Sequence, residues 1–212
     1  RVRGLQKRPQ NGHPRHSCIK DSGMSVMEMS HRSGMYLEIF DHTQALFREL
    51  MQIGPEYEVL FLQGGATAEF AAIPMNLMGE KGKADYVDSG NFAHGALVEA
   101  RKYGTVNVVA SSREENYTRI PPIDPAACDP DAAYFYITTN NTIYGTRYPA
   151  LPETGDVPLV ADMSSMILSK PVDVTKYGCI YFGVQKNVAP AGMAIAIVRD
   201  DLLGHAADTV PT

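Results

Sequence analysis

The chain has 212 residues, 44% hydrophobic and 20% charged, a composition that can bury a substantial core and that excludes a wholly disordered protein. A net charge of -5, with no Lys/Arg cluster beyond the first twenty residues, supplies no basic field for nucleic acid or an anionic membrane. Cys18, Cys128 and Cys179 lie apart without a CxxC pair, against both a disulfide framework and a zinc site, and no apolar run reaches the ~20 residues that cross a bilayer. With no apolar signal core near the start, these features predict a cytosolic protein without a metal site.

The opening stretch, "RVRGLQKRPQNGHPRHSCIK", is basic and turn-rich with almost no apolar periodicity, so residues 1–21 are expected to form a disordered leader. From Met35 to Ile53 the apolar residues Leu37, Phe40, Leu46, Phe47 and Leu50 recur at helical spacing and predict an amphipathic helix. "YEVLFL", Tyr57 to Leu62, reads as a buried strand, and "QGGATAEFAAIPMNLM" reads as a glycine turn opening an alanine-rich segment. The strand-then-helix order recurs through "ADYVDSG", a helix from Phe92 to Tyr103, and "VNVVAS", "AAYFYITT", "VPLVAD", "CIYFGV" and "GMAIAIVRD". Short apolar strands alternating with helical or loop material predict an α/β fold. We expect a mostly parallel seven-stranded sheet with helices on both faces, in one domain over residues 22–212.

Ligands of parallel sheets bind beyond the carboxyl ends of the strands, which singles out four places. At "QGGAT", Gln63 to Thr67, glycines allow close backbone approach and a helix start offers free N–H groups to an anion, although a plain tight turn has the same sequence. "TTNNTIYGT", Thr138 to Thr146, is a cluster of small polar residues that can equally be a self-satisfied turn. Asp162 ends a buried strand, where a carboxylate is costly without a cation. Lys186 follows Gln185 after the next strand, where the ordinary alternative is a solvated surface charge. A carboxylate for a pyridinium nitrogen, a lysine for a Schiff base and a glycine loop for a phosphate are the three contributions that pyridoxal 5'-phosphate requires. Upstream, His31 and Arg32 suit a phosphate or carboxylate, with a structural salt bridge to Glu28 or Glu38 as the alternative.

The motifs "GMSVMEMSHRS", "LFLQGGATAEFAAIPMNL", "TTNNTIYGT" and "VADMSSMILSKPVDVTKYGCIYFGVQKNVAPAG" together resemble the phosphoserine aminotransferases, class V pyridoxal-phosphate enzymes of fold type I. The resemblance runs in order from about Gly23 to Asp200. It implies amino transfer between L-glutamate and 3-phosphohydroxypyruvate, giving O-phospho-L-serine and 2-oxoglutarate for serine synthesis, with a further role in pyridoxine synthesis in bacterial members. It also implies Lys186 as the Schiff-base lysine, Asp162 as the pyridinium partner, Gln185, Ala66 and Thr67 at the cofactor phosphate, and Thr142 beside the ring. His31 and Arg32 would receive the substrate's phosphate or side-chain carboxylate in a homodimer with shared active sites.

Three departures accompany the resemblance. The family's stacking tryptophan is replaced by Phe92 in "SGNFAHGA", which implies weaker cofactor stacking rather than its loss. The family's opening turn and first helix are not recognisable in residues 1–21, and a shifted reading frame or misassigned start is the hypothesis for that region. The family's small C-terminal domain, with its arginine for the substrate α-carboxylate, and an Asn-Thr pair lent by the neighbouring subunit would both follow Thr212. The chain is therefore expected to be a large cofactor domain truncated at its C-terminal end. Another class V enzyme, such as a desulfurase or an alanine-glyoxylate aminotransferase, and a non-catalytic remnant are the competing readings.

Overall fold

The computed structural model describes residues 22–208; the expected leader at 1–21 and the last four residues lie outside that range. The described residues divide into two compact units, 22–49 and 50–208. In the first, α1 (Gly34–Met51, its last turn crossing the division) forms where periodicity predicts a helix over Met35–Ile53. Ser33 caps it by accepting the Tyr36 N–H at 3.3 Å, the usual way of satisfying an orphan donor at a helix start. Just before α1, the Ser25 N–H donates to the Glu28 carboxylate at 2.8 Å and closes a short turn.

The second unit is built on a seven-stranded sheet, ordered β1-β9-β8-β7-β4-β2-β3. Its strands are β1 (Tyr57–Gln63), β2 (Lys83–Asp88), β3 (Thr105–Ser111), β4 (Phe135–Thr138), β7 (Leu159–Asp162), β8 (Cys179–Gly183) and β9 (Met193–Arg199). Each of the seven apolar runs found in the sequence becomes one of these strands. Parallel pairing joins β3 to β2, β2 to β4, β4 to β7 and β7 to β8, whereas β9 runs antiparallel to both β8 and β1. Because β9 alone is reversed, the carboxyl ends of the other six strands share one rim. The chain visits β3 on one side of β2 and then β4, β7 and β8 on the other, so the winding direction switches there, where open α/β sheets place their ligands. The polar cluster after β4 adds a small hairpin that the sequence did not announce, β5 (Asn140–Asn141) paired with β6 (Thr146–Arg147).

Helices α2 (Gly65–Leu77) and α3 (Asn91–Ala100) bury Ile73, Ala96, Leu97 and Ala100 against one sheet face, which contributes Tyr86, Tyr136, Val160, Cys179, Tyr181 and Val198. Alternation along the strands sends Phe135, Ile137, Leu159, Ile180, Phe182, Ile195 and Ile197 to the opposite face, where all are buried. There the Tyr57 hydroxyl reaches the Tyr177 and Val174 carbonyls at 2.7 and 3.1 Å, tying the segment before β8 to β1. Burial on both faces explains why the strands read as continuous apolar runs. The aromatic core remains polar in places: Tyr86 pairs its hydroxyl with Tyr134, and Tyr136 with Tyr181, each at 2.7 Å.

One buried acid lies on α2. Glu69 is 2% exposed, and burial pushes its carboxyl up to about 7. An acid whose folded-state affinity for protons is raised stabilises the fold least where it must ionise, above about pH 7, and its penalty disappears as pH falls below the ordinary carboxylate range. Glu69→Gln should therefore raise the urea midpoint relative to the parent above pH 7, with the gap closing towards pH 4; a gap independent of pH would count against the buried acid as its cause.

Candidate active site

At the carboxyl rim of the sheet lies a cleft of about 430 Å³. Its walls come from the turn after β1, the start of α3, the ends of β4 and β7, and the turn between β8 and β9. Gly64, Gly65, Ala66, Thr67 and Phe70 line one side, Phe92 a second, and Thr138, Asn140, Asp162, Ser164 and Ser165 the floor; Gln185, Lys186, Ala191 and Gly192 close it.

The β1–α2 turn has a specific backbone requirement. Gly64 has φ 98° and Gly65 φ 68°, a left-handed pair that brings the chain sharply from strand to helix. A Cβ on Gly64 would stand 2.8 Å from the Ala68 Cβ. The first N–H groups of α2 have no helical acceptors, and the residues that carry them, Gly65 to Thr67, line the cleft at the positive end of a thirteen-residue helix. An anion is the natural ligand for such a surface.

The floor has the opposite character. Asp162 closes β7 with its side chain 5% exposed, and its Oδ1 accepts the Ser164 N–H at 2.8 Å. Burial is the largest influence and raises its pKa, opposed by hydrogen bonding from Ser164, the Lys186 charge and the Tyr181 hydroxyl. Ser164 also joins two strands, because its Oγ accepts the Gly183 N–H at 3.0 Å and fastens the end of β7 to the end of β8. Gly183 permits this closeness, since a Cβ there would lie 2.5 Å from the Gln185 carboxamide and 3.2 Å from the Ala66 Cβ. Thr138 lies beside Asp162 in the β4–β7 register, with its Oγ1 buried and unpartnered.

Beyond β8 the chain makes one helical turn, in which the Val188 and Ala189 N–H groups return to the Val184 carbonyl at 3.0 and 2.9 Å. This turn carries Gln185 and Lys186 over the cleft. The Lys186 ammonium donates to Thr142 Oγ1 at 3.3 Å and stands 5.3 Å from the Phe92 ring centroid, within range of a cation–π contact. Lys186 and Asp162 thus face one cleft from adjoining positions on the rim.

Of the residues selected from sequence, Ala66, Thr67, Phe92, Asp162, Gln185 and Lys186 line this cleft. Thr142 is outside the lining but touches Lys186 through its hydroxyl. His31 and Arg32 belong to the first unit, both side chains are exposed, and the Arg32 N–H donates to Ser30 Oγ at 3.3 Å. Thr138 and Asn140, members of the polar cluster marked from sequence without a role for either, also line the cleft, as do Ser164 and Ser165, which were not singled out. Two of them carried a signal: strand alternation places Thr138 on the face of its register partner Asp162, and Ser164 follows Asp162 by two residues, within reach of both strand ends.

The class-V aminotransferase profile matches residues 16–211. The chain belongs to the class-V aminotransferase family. It is 51% identical over 193 residues to a phosphoserine aminotransferase of Pseudomonas aeruginosa, covering 91% of this chain and 54% of that relative. Among solved structures it is similar to the phosphoserine aminotransferase of Bacillus circulans subsp. alkalophilus, with 43% identity, a TM-score of 0.84 and coverage of 91% and 53% of the two chains. A phosphoserine aminotransferase of Trichomonas vaginalis, solved with PLP bound, aligns at 36% identity with a TM-score of 0.84 over 91% of this chain and 54% of that one. The chain spans about half the length of the relatives it matches.

The glycine turn offers the most direct structural test of the cleft. Gly64→Ala should lower stability by about 1 to 3 kcal/mol in urea unfolding, through the left-handed backbone and the contact with Ala68. Gly65→Ala, with no atom within 4 Å of its added Cβ, pays for the backbone alone and should be the milder change.

Proposed function

We propose that this chain is the cofactor-binding part of a phosphoserine transaminase. It would move an amino group between L-glutamate and 3-phosphohydroxypyruvate, giving O-phospho-L-serine and 2-oxoglutarate in serine biosynthesis, with pyridoxine synthesis as a second outlet. The observation that carries this reading is the single cleft faced by Lys186, Asp162 and the Gly64–Gly65 helix start. The similarity to phosphoserine aminotransferases at 51% identity supports the choice within the family.

The residues present fit pyridoxal phosphate. The free N–H groups of α2, with Ala66, Thr67 and Gln185 around them, suit its phosphate. Asp162 is a buried carboxylate for which no ion pair is found among the described residues, and it suits a protonated ring nitrogen. Phe92 offers an aromatic face to the same space, and the unpartnered Thr138 Oγ1 offers a polar one. Bound there, the cofactor supplies an aldehyde and an electron-accepting ring.

Lys186 Nζ would hold the cofactor by its aldehyde and would be the base for the α-proton of the amino-acid substrate. Thr142 steadies the ammonium from one side and the Phe92 ring faces it from another, so the exposed Lys186 side chain is held at the mouth of the cleft. Asp162, held by Ser164, keeps a negative charge at the cleft floor. His31 and Arg32 are the receptor we assign to the phosphate of the substrate, in a homodimer that shares its active sites; a cytoplasmic location accords with this role.

Incubation with pyridoxal phosphate followed by borohydride reduction should give a single stable adduct on the peptide containing Lys186, and Lys186→Ala should give none. Failure to label Lys186 would remove the cofactor assignment. With the adduct in hand, faster half-transamination with phosphoserine than with alanine or cysteine would support the substrate; preference for cysteine would point to a desulfurase.

A further inference from the structure

Beneath the cleft, Asp162 shares one face of the sheet with a pair of tyrosines for which the reaction outlined above has no use. Asp162 and Tyr181 are direct register partners on the parallel strands β7 and β8, and Thr138 is the partner of Asp162 on β4. Strand alternation therefore places Tyr136, Thr138, Asp162 and Tyr181 on one face of the sheet. The Tyr136 and Tyr181 hydroxyls lie 2.7 Å apart, and both side chains are within 1% of complete burial.

Resting on the pyridoxal-phosphate reading, we propose that Tyr136 and Tyr181 form a hydroxyl relay that points into the Asp162 carboxylate and holds it anionic for the ring nitrogen of the ligand. Each hydroxyl has one proton to give. If Tyr136 donates to Tyr181 and Tyr181 donates to Asp162, both protons are used and the strongest acceptor nearby receives one. The opposite order turns the Tyr181 proton away from the buried charge. Arranged towards Asp162, each bond polarises the next, and the low dielectric of the core strengthens both. Burial and the Asp162 charge push both tyrosine hydroxyls well above their ordinary range, so they stay protonated donors at any working pH. The other ionisable group acting on Asp162 is Lys186, reaching it from the cleft, whereas the tyrosines lie in the core.

The core supplies its own control. Tyr86 and Tyr134 form a second buried hydroxyl pair at 2.7 Å, and Tyr86 stacks on Tyr136 with ring centroids 4.6 Å apart. Sheet order puts β2, and with it Tyr86, on the far side of β4 from β8 and Tyr181. Breaking that pair removes the same chemistry from the same core without removing a donor to Asp162.

Two measurements on this chain test the relay. The first is the Asp162 titration in the ligand-free protein, followed by carboxyl-carbon NMR and assigned with Asp162→Asn. The second is pyridoxal phosphate affinity, by equilibrium dialysis. Tyr181→Phe should raise the Asp162 pKa by about one unit and weaken the cofactor about tenfold. Tyr136→Phe should move both in the same direction by less, and Tyr86→Phe/Tyr134→Phe should move neither, whatever each variant does to the unfolding midpoint. An unchanged Asp162 titration in Tyr181→Phe, or an equal shift in the control pair, overturns the relay. Because the titration needs no ligand, it still decides the relay if the parent chain fails to form the Lys186 adduct, a result that would sink the cofactor reading alone.

Discussion

The buried negative charge of Asp162 is the interaction on which the rest of the cleft depends. A carboxylate 5% exposed at the end of a core strand loses most of its hydration, and it persists only where nearby donors replace the water. The Ser164 N–H just beyond β7 is the donor found on its carboxylate, and Tyr181 on β8 and the Lys186 charge across the cleft act with it against the effect of burial. Each requires β7 and β8 to end in step. The bond from the Gly183 N–H to Ser164 Oγ holds them there, and a glycine at 183 is what leaves room for the Gln185 side chain to fold back.

Opposite this charge stands the start of α2, where a left-handed glycine pair exposes backbone donors at the positive end of a helix. The cleft is therefore electrostatically polar, with an anion site on one wall and an anionic floor. A ligand with a phosphate at one end and a protonated ring at the other matches both, and a lysine between them gives it a point of attachment. Parallel strand order creates this geometry, because it brings the ends of β1, β4, β7 and β8 to one rim although their residues are far apart in the chain.

Much of this was legible in the sequence. The seven apolar runs became seven strands, and the amphipathic pattern near Met35 became α1 within two residues at its far end. Asp162, Lys186 and the glycine turn were identifiable because a charge or a double glycine immediately after an apolar strand conflicts with simple core packing. Ser164 and Ser165 were hidden because small polar residues after strands are ordinary turn formers, and only the structure shows that Ser164 bridges two strand ends. Tyr181 and Tyr136 were hidden for a different reason: tyrosine is a good strand residue, and nothing in "CIYFGV" distinguishes a hydroxyl aimed at a carboxylate from one merely buried. The reversal of β9 was also invisible, since "GMAIAIVRD" has the same apolar character as the parallel strands around it.

Asp162 is thus a charge that the fold tolerates for the sake of a ligand. Urea unfolding of the parent chain and of Asp162→Asn, each with and without pyridoxal phosphate, measures this directly. Without cofactor, Asp162→Asn should be at least as stable as the parent, because a neutral amide loses less on burial. With saturating cofactor the parent should gain clearly more stability than the variant, since only the carboxylate pairs with the protonated ring nitrogen. A variant that is less stable without cofactor, and that gains as much from it as the parent does, would contradict the claim.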